Sequence, residues 1–205
     1  MELNFLVKGL IIGFSIAAPV GPIGVLCIRR TLAYGRPLGF LSGLGAATAD
    51  AMYGLVAAFG LTLISAFLLD QQFWLKLVGG TFLLYLGLKT LRTRTTPTVA
   101  PVTGRSLLNA YSSTLFLTLT NPATILSFMA IYAGLGLAGT QRNYGDAGSL
   151  VLGVFTGSAI WWLLLSGGVS LFRDRFTVGR LRWVNRLAGL ILCTFGLLVW
   201  LSFVT

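Results

Sequence analysis

Histidine is absent from this sequence, and acidic residues are scarce, with five Asp and Glu among 205 residues. Without histidine the chain can build neither a histidine metal site nor a histidine proton relay. The two cysteines, Cys27 and Cys193, form no C-x-x-C pair, so the sequence predicts no disulfide framework and no thiolate metal site. The Gly-Lys-Ser/Thr loop of nucleotide-binding proteins is missing as well, which argues against coupling to ATP. We therefore expect no bound metal and no cofactor.

Charge is sparse in general. Charged residues make up 10% of the chain, hydrophobic residues 56%, and the mean hydropathy is +0.86. A soluble domain of this size cannot bury so much apolar surface, so the composition indicates a membrane protein. The net charge of +10 would suggest nucleic acid as a partner of a soluble protein. Here the positive residues lie between apolar runs and form no basic patch, so we expect a lipid bilayer and no nucleic acid.

Six apolar runs divide the sequence, and each is about as long as a helix that crosses ~30 Å of hydrocarbon. The runs are 5–28, 38–61, 74–91, 107–136, 150–172 and 187–204. They predict an all-α, polytopic membrane protein with six transmembrane helices.

Positive residues alternate between the connections that join these runs. Most of the 15 Lys and Arg residues fall in the first, third and fifth connections, and the first connection contains Arg29, Arg30 and Arg36. By the positive-inside rule these connections are cytoplasmic. Both termini are then predicted on the non-cytoplasmic side of a multi-pass protein in the plasma (inner) membrane.

The two halves of the chain look related. Residues 1–205 are predicted to form a single transmembrane domain with pseudo-repeats 1–92 and 105–205, joined by a Thr- and Pro-rich linker at 93–104. Pro22 aligns with Pro122, and Gly43 aligns with Gly153. Three spans in each repeat require the second copy to enter the membrane inverted. The alternative is that apolar helices rich in Leu and Gly align by chance.

The first and fourth runs are interrupted by proline. Gly21-Pro22 and Asn121-Pro122 each resemble a helix cap followed by the first residue of a new helix, so both spans are predicted to be broken. Two half-helix N-termini that meet near the membrane centre would bind an anion such as a substrate carboxylate. The alternative is that the prolines only kink the helices for packing. The predicted substrate-binding residues around the two breaks are Pro19, Gly21, Pro22, Gly24, Asn121, Pro122 and Thr124.

Asp50 is the only acidic residue well inside an apolar run. A carboxylate at the membrane centre costs roughly 2.5 to 3.5 kcal/mol, so it should face the bundle interior. We predict that Asp50 binds a substrate ammonium or carries the coupling proton, and that Tyr53, one turn further on, donates a hydrogen bond and contributes to the substrate site. The alternative is a structural aspartate that accepts hydrogen bonds from backbone donors freed at a break.

Four segments together carry a family resemblance: APVGPIG at 18–24, RRTLAYG at 29–35, GLGAATADAMYG at 43–54 and Asn121-Pro122. In this combination and spacing the sequence resembles the LysE/RhtB family of amino-acid exporters (LysE superfamily translocators). The resemblance covers nearly the whole chain. It implies a six-span secondary exporter of an amino acid or a close derivative, which is not an enzyme, is driven by protons or another coupling ion, and is often a homodimer.

Two other functions compete with export of an amino acid. A membrane thiol-disulfide oxidoreductase of a related fold would require Cys27 and Cys193 to approach each other and exchange electrons. A heavy-metal cation exporter would have to bind soft cations with one aspartate and two scattered cysteines, which is a poor ligand set.

Overall fold

The computed structural model describes residues 3–19, 21–58, 70–92, 103–121, 123–128, 144–172 and 178–201. All regular secondary structure within these ranges is α-helical, as the apolar runs predict. The helices are α1 (Leu3–Ala17), α2 (Pro22–Tyr34), α3 (Arg36–Ala58), α4 (Gln72–Arg92), α5 (Gly104–Leu119), α6 (123–128), α7 (Tyr144–Leu171) and α8 (Val178–Leu201). Of the predicted linker, residues 93–102 lie outside the described residues, and α5 begins at Gly104 with Thr103 as its cap.

Two helices are long and apolar enough to cross a membrane alone, by length and composition. They are Tyr144–Leu171 and Gly179–Leu201. A third candidate is the pair Phe5–Ala17 and Pro22–Tyr34, whose axes are bent by 80°. Such a pair fits either one interrupted span or a re-entrant segment.

Helix α3 lies at the centre of the bundle, where it packs against α2, α5 and α7. It runs parallel to α5, because Thr48 meets Tyr111 and, further along both helices, Tyr53 meets Leu119. It runs antiparallel to α7, since Gly43 lies against Trp162 whereas the later Asp50 lies against the earlier Ser158. The middle of α3 is therefore enclosed by helices from the second half of the chain.

The outer helices repeat these two relationships. Helix α1 packs against α7 and is parallel to it, because Gly9 meets Leu150 and Gly13 meets Val154. Helices α4 and α8 pack against each other and are antiparallel, as Gly80 lies beside Val199 and Gly87 beside Cys193. The α1–α7 contact is especially close, since backbone meets backbone at four glycines. These are Gly9, Gly13, Gly153 and Gly157.

The boundary of the first apolar run differs from the prediction. Helix α2 continues to Tyr34, so Arg29 and Arg30 lie within the helix and not in the predicted connection, and Arg29 is only 8% exposed. Gly35 joins α2 to α3 with a φ of +100°, a backbone conformation that glycine adopts readily. Burial of the two guanidinium groups is compatible with the fold because neutral oxygen atoms from α3, α5 and α8 accept their hydrogen bonds.

Candidate functional site

Asp50 is buried in the centre of the bundle and is 3% exposed. Its Oδ2 accepts a hydrogen bond of 2.7 Å from the hydroxyl of Ser158 on α7. The indole N–H of Trp162, one turn further along α7, donates to the Ser158 oxygen at 3.1 Å. The prediction that Asp50 faces the bundle interior is confirmed.

The order of donors in this network is fixed by chemistry. An indole nitrogen can only donate, so the Ser158 oxygen accepts from Trp162 and its single hydroxyl hydrogen is directed to Asp50. Trp162 itself is held against the backbone of α3 at Gly43, where the lack of a side chain leaves room for the indole. The network therefore presents one oriented donor to one carboxylate oxygen.

The hydrogen-bonding capacity of the Asp50 carboxyl group is only partly used. Among the residues that the structure describes, Ser158 is its only hydrogen-bond partner, and no Lys or Arg forms an ion pair with it. The alternative is a structural aspartate that accepts hydrogen bonds from freed backbone donors. The described residues do not show this, because the partner of Asp50 is a side chain from α7. A buried carboxylate with one hydrogen bond is costly unless it is protonated or meets a cation. The site is thus suited to a proton or to a positively charged ligand group.

Tyr53 makes its hydrogen bond elsewhere. Its hydroxyl donates to the carbonyl oxygen of Leu119 at the end of α5, not to Asp50. Its ring lies 5.7 Å, between ring centroids, from Phe128 of α6. Tyr53 therefore connects α3 with the second interruption.

At the first interruption α1 ends at Ala17 and α2 begins at Pro22. Gly21 occupies the cap position with an extended backbone and supplies no side-chain hydrogen bond. Pro19 is exposed, whereas Gly24 is buried inside α2. Ala17 packs in one apolar cluster with Trp162, so the end of α1 reaches the Asp50 network.

At the second interruption Asn121 caps α6. Its Oδ1 accepts from the backbone N–H of Ala123 at 3.2 Å, and its carbonyl accepts from Ile125 N–H at 3.3 Å. Pro122 lies outside the described residues, and Thr124 is buried within α6. The backbone N–H groups of Ala123, Thr124 and Ile125 are thus all paired with Asn121, which leaves fewer donors for a carboxylate than the sequence suggests.

The hydroxyl groups near this interruption serve the backbone. Thr118, Thr120 and Ser127 each donate to the carbonyl four residues earlier in the chain. This local pairing satisfies carbonyl groups inside the bundle.

Sequence reasoning missed Ser158. A hydroxyl residue one turn before a tryptophan in the middle of a long apolar run is a weak signal of a polar contact. Ser158 is 108 positions from Asp50 in the sequence, and only the packing of α3 against α7 brings them together.

The two cysteines lie in different contacts. Cys27 is buried in the cluster with Ala17 and Trp162, whereas Cys193 lies against Gly87 at the α4–α8 contact, and both are free thiols. Within the described ranges no group of three or more Cys, Asp or Glu residues could hold a metal ion. Neither finding favours a thiol oxidoreductase or a metal exporter.

Comparisons with known proteins show the family to which the chain belongs. The family described as LysE type translocator matches residues 14–202. A Bacillus subtilis protein named "Putative amino acid efflux protein YcgF" is 31% identical over 199 residues, which cover 95% of this chain and 94% of that protein. The Escherichia coli membrane protein YahN is 29% identical, with 83% and 77% of the two chains covered, and the Synechocystis membrane protein slr1627 is 27% identical, with 91% of each covered. No solved structure gives a significant match. The chain belongs to the LysE type translocator family.

Proposed function

We propose that this translocator is a secondary exporter of an amino acid or a small amino-acid derivative, and that Asp50 is the central residue of its mechanism. The observation that carries the proposal is a buried carboxylate with one hydrogen bond and no counter-cation among the described residues. A substrate ammonium or a coupling proton would supply the missing positive charge. The efflux function in the name of the Bacillus subtilis relative supports the same substrate class.

The proposal includes six spans arranged as two inverted three-helix repeats. Exchange of the halves would replace α1, α3 and α4 by α5, α7 and α8. This exchange turns the pair α1–α7 into the pair α5–α3, and both pairs are parallel. It turns α3–α7 into α7–α3 and α4–α8 into α8–α4, which are the same two pairs, and both are antiparallel. An inverted repeat requires equivalent helices to run in opposite directions, so the observed directions support it.

The proposed orientation follows from the distribution of positive charge. Most of the basic residues of the first half lie at or next to three helix ends, namely the end of α2, the end of α4 and the start of α5. These ends would then face the cytoplasm. Both termini then lie outside the cell in a plasma-membrane protein. Exposed aromatic and aliphatic residues on α4 and α8 would contact the bilayer, as Trp74, Val78, Leu190 and Leu197 illustrate.

Export of labelled amino acids from loaded cells tests the function directly. Cells that express the chain should lose at least one amino acid faster than cells with an empty vector, and an uncoupler should abolish the difference because it removes the proton gradient. If no member of the panel leaves faster than in the vector control, an amino-acid export function is wrong. Continued export in the presence of the uncoupler would exclude proton coupling but would leave the export function intact.

The cysteines offer a test against a thiol mechanism. We expect the double variant Cys27→Ala, Cys193→Ala to retain export within about twofold of wild type per molecule of protein, because both thiols are free and the stability cost of a point substitution, typically about 0.5 to 3 kcal/mol, lowers the amount of folded protein rather than its rate. The initial efflux rate, normalised to the amount of protein in the membrane, measures the effect. Complete loss of export at a normal protein level would support an oxidoreductase mechanism.

A further inference from the structure

A cavity of about 690 Å³ lies between α2, α4 and α5, away from the Asp50 network. Three basic residues line it, Arg29 and Arg30 from α2 and Lys89 from the end of α4. None of the described residues that line it is acidic, so this part of the lining supplies no negative charge. Three cations gathered around a partly enclosed volume create a positive potential that favours an anionic ligand.

The guanidinium group of Arg30 is held in place by neutral oxygen atoms. It donates to the hydroxyls of Ser42, Thr114 and Ser113 and to the carbonyl of Ala110, at 2.7 to 2.9 Å. These contacts fix the group between α3 and α5 without cancelling its charge. A cation that is positioned in advance can bind a carboxylate without losing much side-chain freedom.

The other two cations are positioned by different contacts. Arg29 donates from Nε to the Asn185 side chain on α8 at 2.9 Å. The Lys89 ammonium lies 5.6 Å from the centre of the Tyr85 ring, which is a cation–π distance. The cavity thus has one buried basic wall and one basic residue near its mouth.

The opposite end of the cavity is apolar. The rings of Phe82 and Phe116 meet edge to face with centroids 5.1 Å apart, and both residues line the cavity. One turn away, Gly79, which precedes Phe82 on α4, lies against Thr120, which follows Phe116 at the second interruption. The two rings therefore lie between the basic end of the cavity and the interruption of the fourth apolar run.

We propose that this cavity is the cytoplasmic loading site of the exporter, and that Arg29, Arg30 and Lys89 bind the carboxylate of the substrate there before the substrate moves on to the Asp50 site. The inference rests on the proposed function and orientation, which place the ends of α2 and α4 at the cytoplasmic side. The free carboxylate of the substrate is recognised first, and the rest of the molecule is directed to the apolar end of the cavity at Phe82 and Phe116.

The test compares an exported amino acid with its carboxamide, in which the carboxylate has no charge. Binding is measured by calorimetry on the full chain in nanodiscs of neutral lipid. A hydrogen bond between ions contributes enough that wild type should bind the acid about 10-fold or more tightly than the amide. Arg30→Gln and Lys89→Gln should reduce this preference, and Arg30→Lys should restore part of it. The exposed Arg92 at the same end of α4 is not in the cavity lining, so Arg92→Gln is the matched control and should keep the full preference.

The ratio of acid to amide binding separates recognition from folding, because a purely structural role of Arg30 would weaken both ligands alike. Lys89→Gln changes an exposed residue, so it keeps the test decisive if Arg30→Gln does not fold. An unchanged ratio in Lys89→Gln and Arg30→Gln, or in Lys89→Gln alone where Arg30→Gln does not fold, would overturn the inference while export itself persists. A second experiment repeats the binding measurement in nanodiscs that contain anionic lipid. If anionic lipid abolishes amino-acid binding to wild type but not to Lys89→Gln, the cavity binds a lipid headgroup and the inference is wrong. Failure of wild type to export any amino acid would instead remove the proposed function.

Discussion

Asp50→Asn is expected to reduce export by about 10- to 100-fold, since a hydrogen bond or ion pair to a charged group contributes about 1.5 to 3 kcal/mol. The amide cannot ionise, so it can neither release a proton nor attract an ammonium group as a carboxylate does. We therefore also expect the dependence of export on external pH to disappear, whereas wild-type export should increase as the external medium becomes more acidic. Efflux of a labelled amino acid, measured over a series of external pH values, gives both results.

Asp70 provides the control for this experiment, because it is an exposed acidic residue outside the central bundle. Asp70→Asn should export like wild type. Ser158→Ala should give a partial loss and keep the pH dependence, since it removes the oriented donor but leaves the carboxylate. If Asp50→Asn exports at the wild-type rate with the wild-type pH dependence, neither role of Asp50 is correct.

Gly13→Ala is expected to lower the stability of the folded protein markedly. Alanine usually stabilises a helix relative to glycine by up to about 1 kcal/mol. Here the new methyl group would overlap the carbonyl oxygen of Val154 on α7, where neither backbone can move without separating the two helices. Overpacking of this kind costs typically about 1 to 3 kcal/mol or more, so the sign of the effect is reversed. Thermal unfolding in detergent, followed by size-exclusion chromatography, should show a lower Tm and aggregated protein.

Gly148 is the matched control for this second prediction. It lies on α7, and a methyl group there would meet no other atom within 4 Å. Gly148→Ala should therefore leave the Tm unchanged or raise it. A Gly13→Ala variant as stable as Gly148→Ala would contradict the close approach of α1 and α7.

The general architecture was readable from the sequence because it depends on composition and on local rules. Apolar run lengths predicted an all-helical protein, and the high cost of a carboxylate in lipid predicted the burial of Asp50, which is 3% exposed. The cap-and-proline pattern predicted a helix start at Pro22, where α2 begins, whereas the start predicted at Pro122 lies outside the described residues. Each of these predictions uses residues that are close together in the sequence.

The contacts that complete the site could not be read in this way. The sequence predicts a cytoplasmic connection at Arg29 and Arg30, because charge alone does not reveal that Asn185 and the hydroxyls of other helices are available as partners. The partner of Asp50 comes from the other half of the chain, so it depends on how α3 and α7 pack. The close contact of α1 and α7 had a local signal, since glycines four residues apart are typical of close helix pairs, but the choice of partner helix required the structure.

The hydrogen bond from Tyr53 to Leu119 has a mechanical consequence. In an uninterrupted helix the Leu119 carbonyl would accept from the N–H of residue 123, but that N–H is taken by Asn121. The phenol of α3 replaces the lost donor, so sliding α3 along α5 would leave a carbonyl oxygen unpaired in apolar surroundings, at a cost of roughly 1 to 3 kcal/mol. The Tyr53 bond thus opposes sliding of α3 along α5, as does the hydrogen bond from Tyr111 to Thr48 on the same two helices.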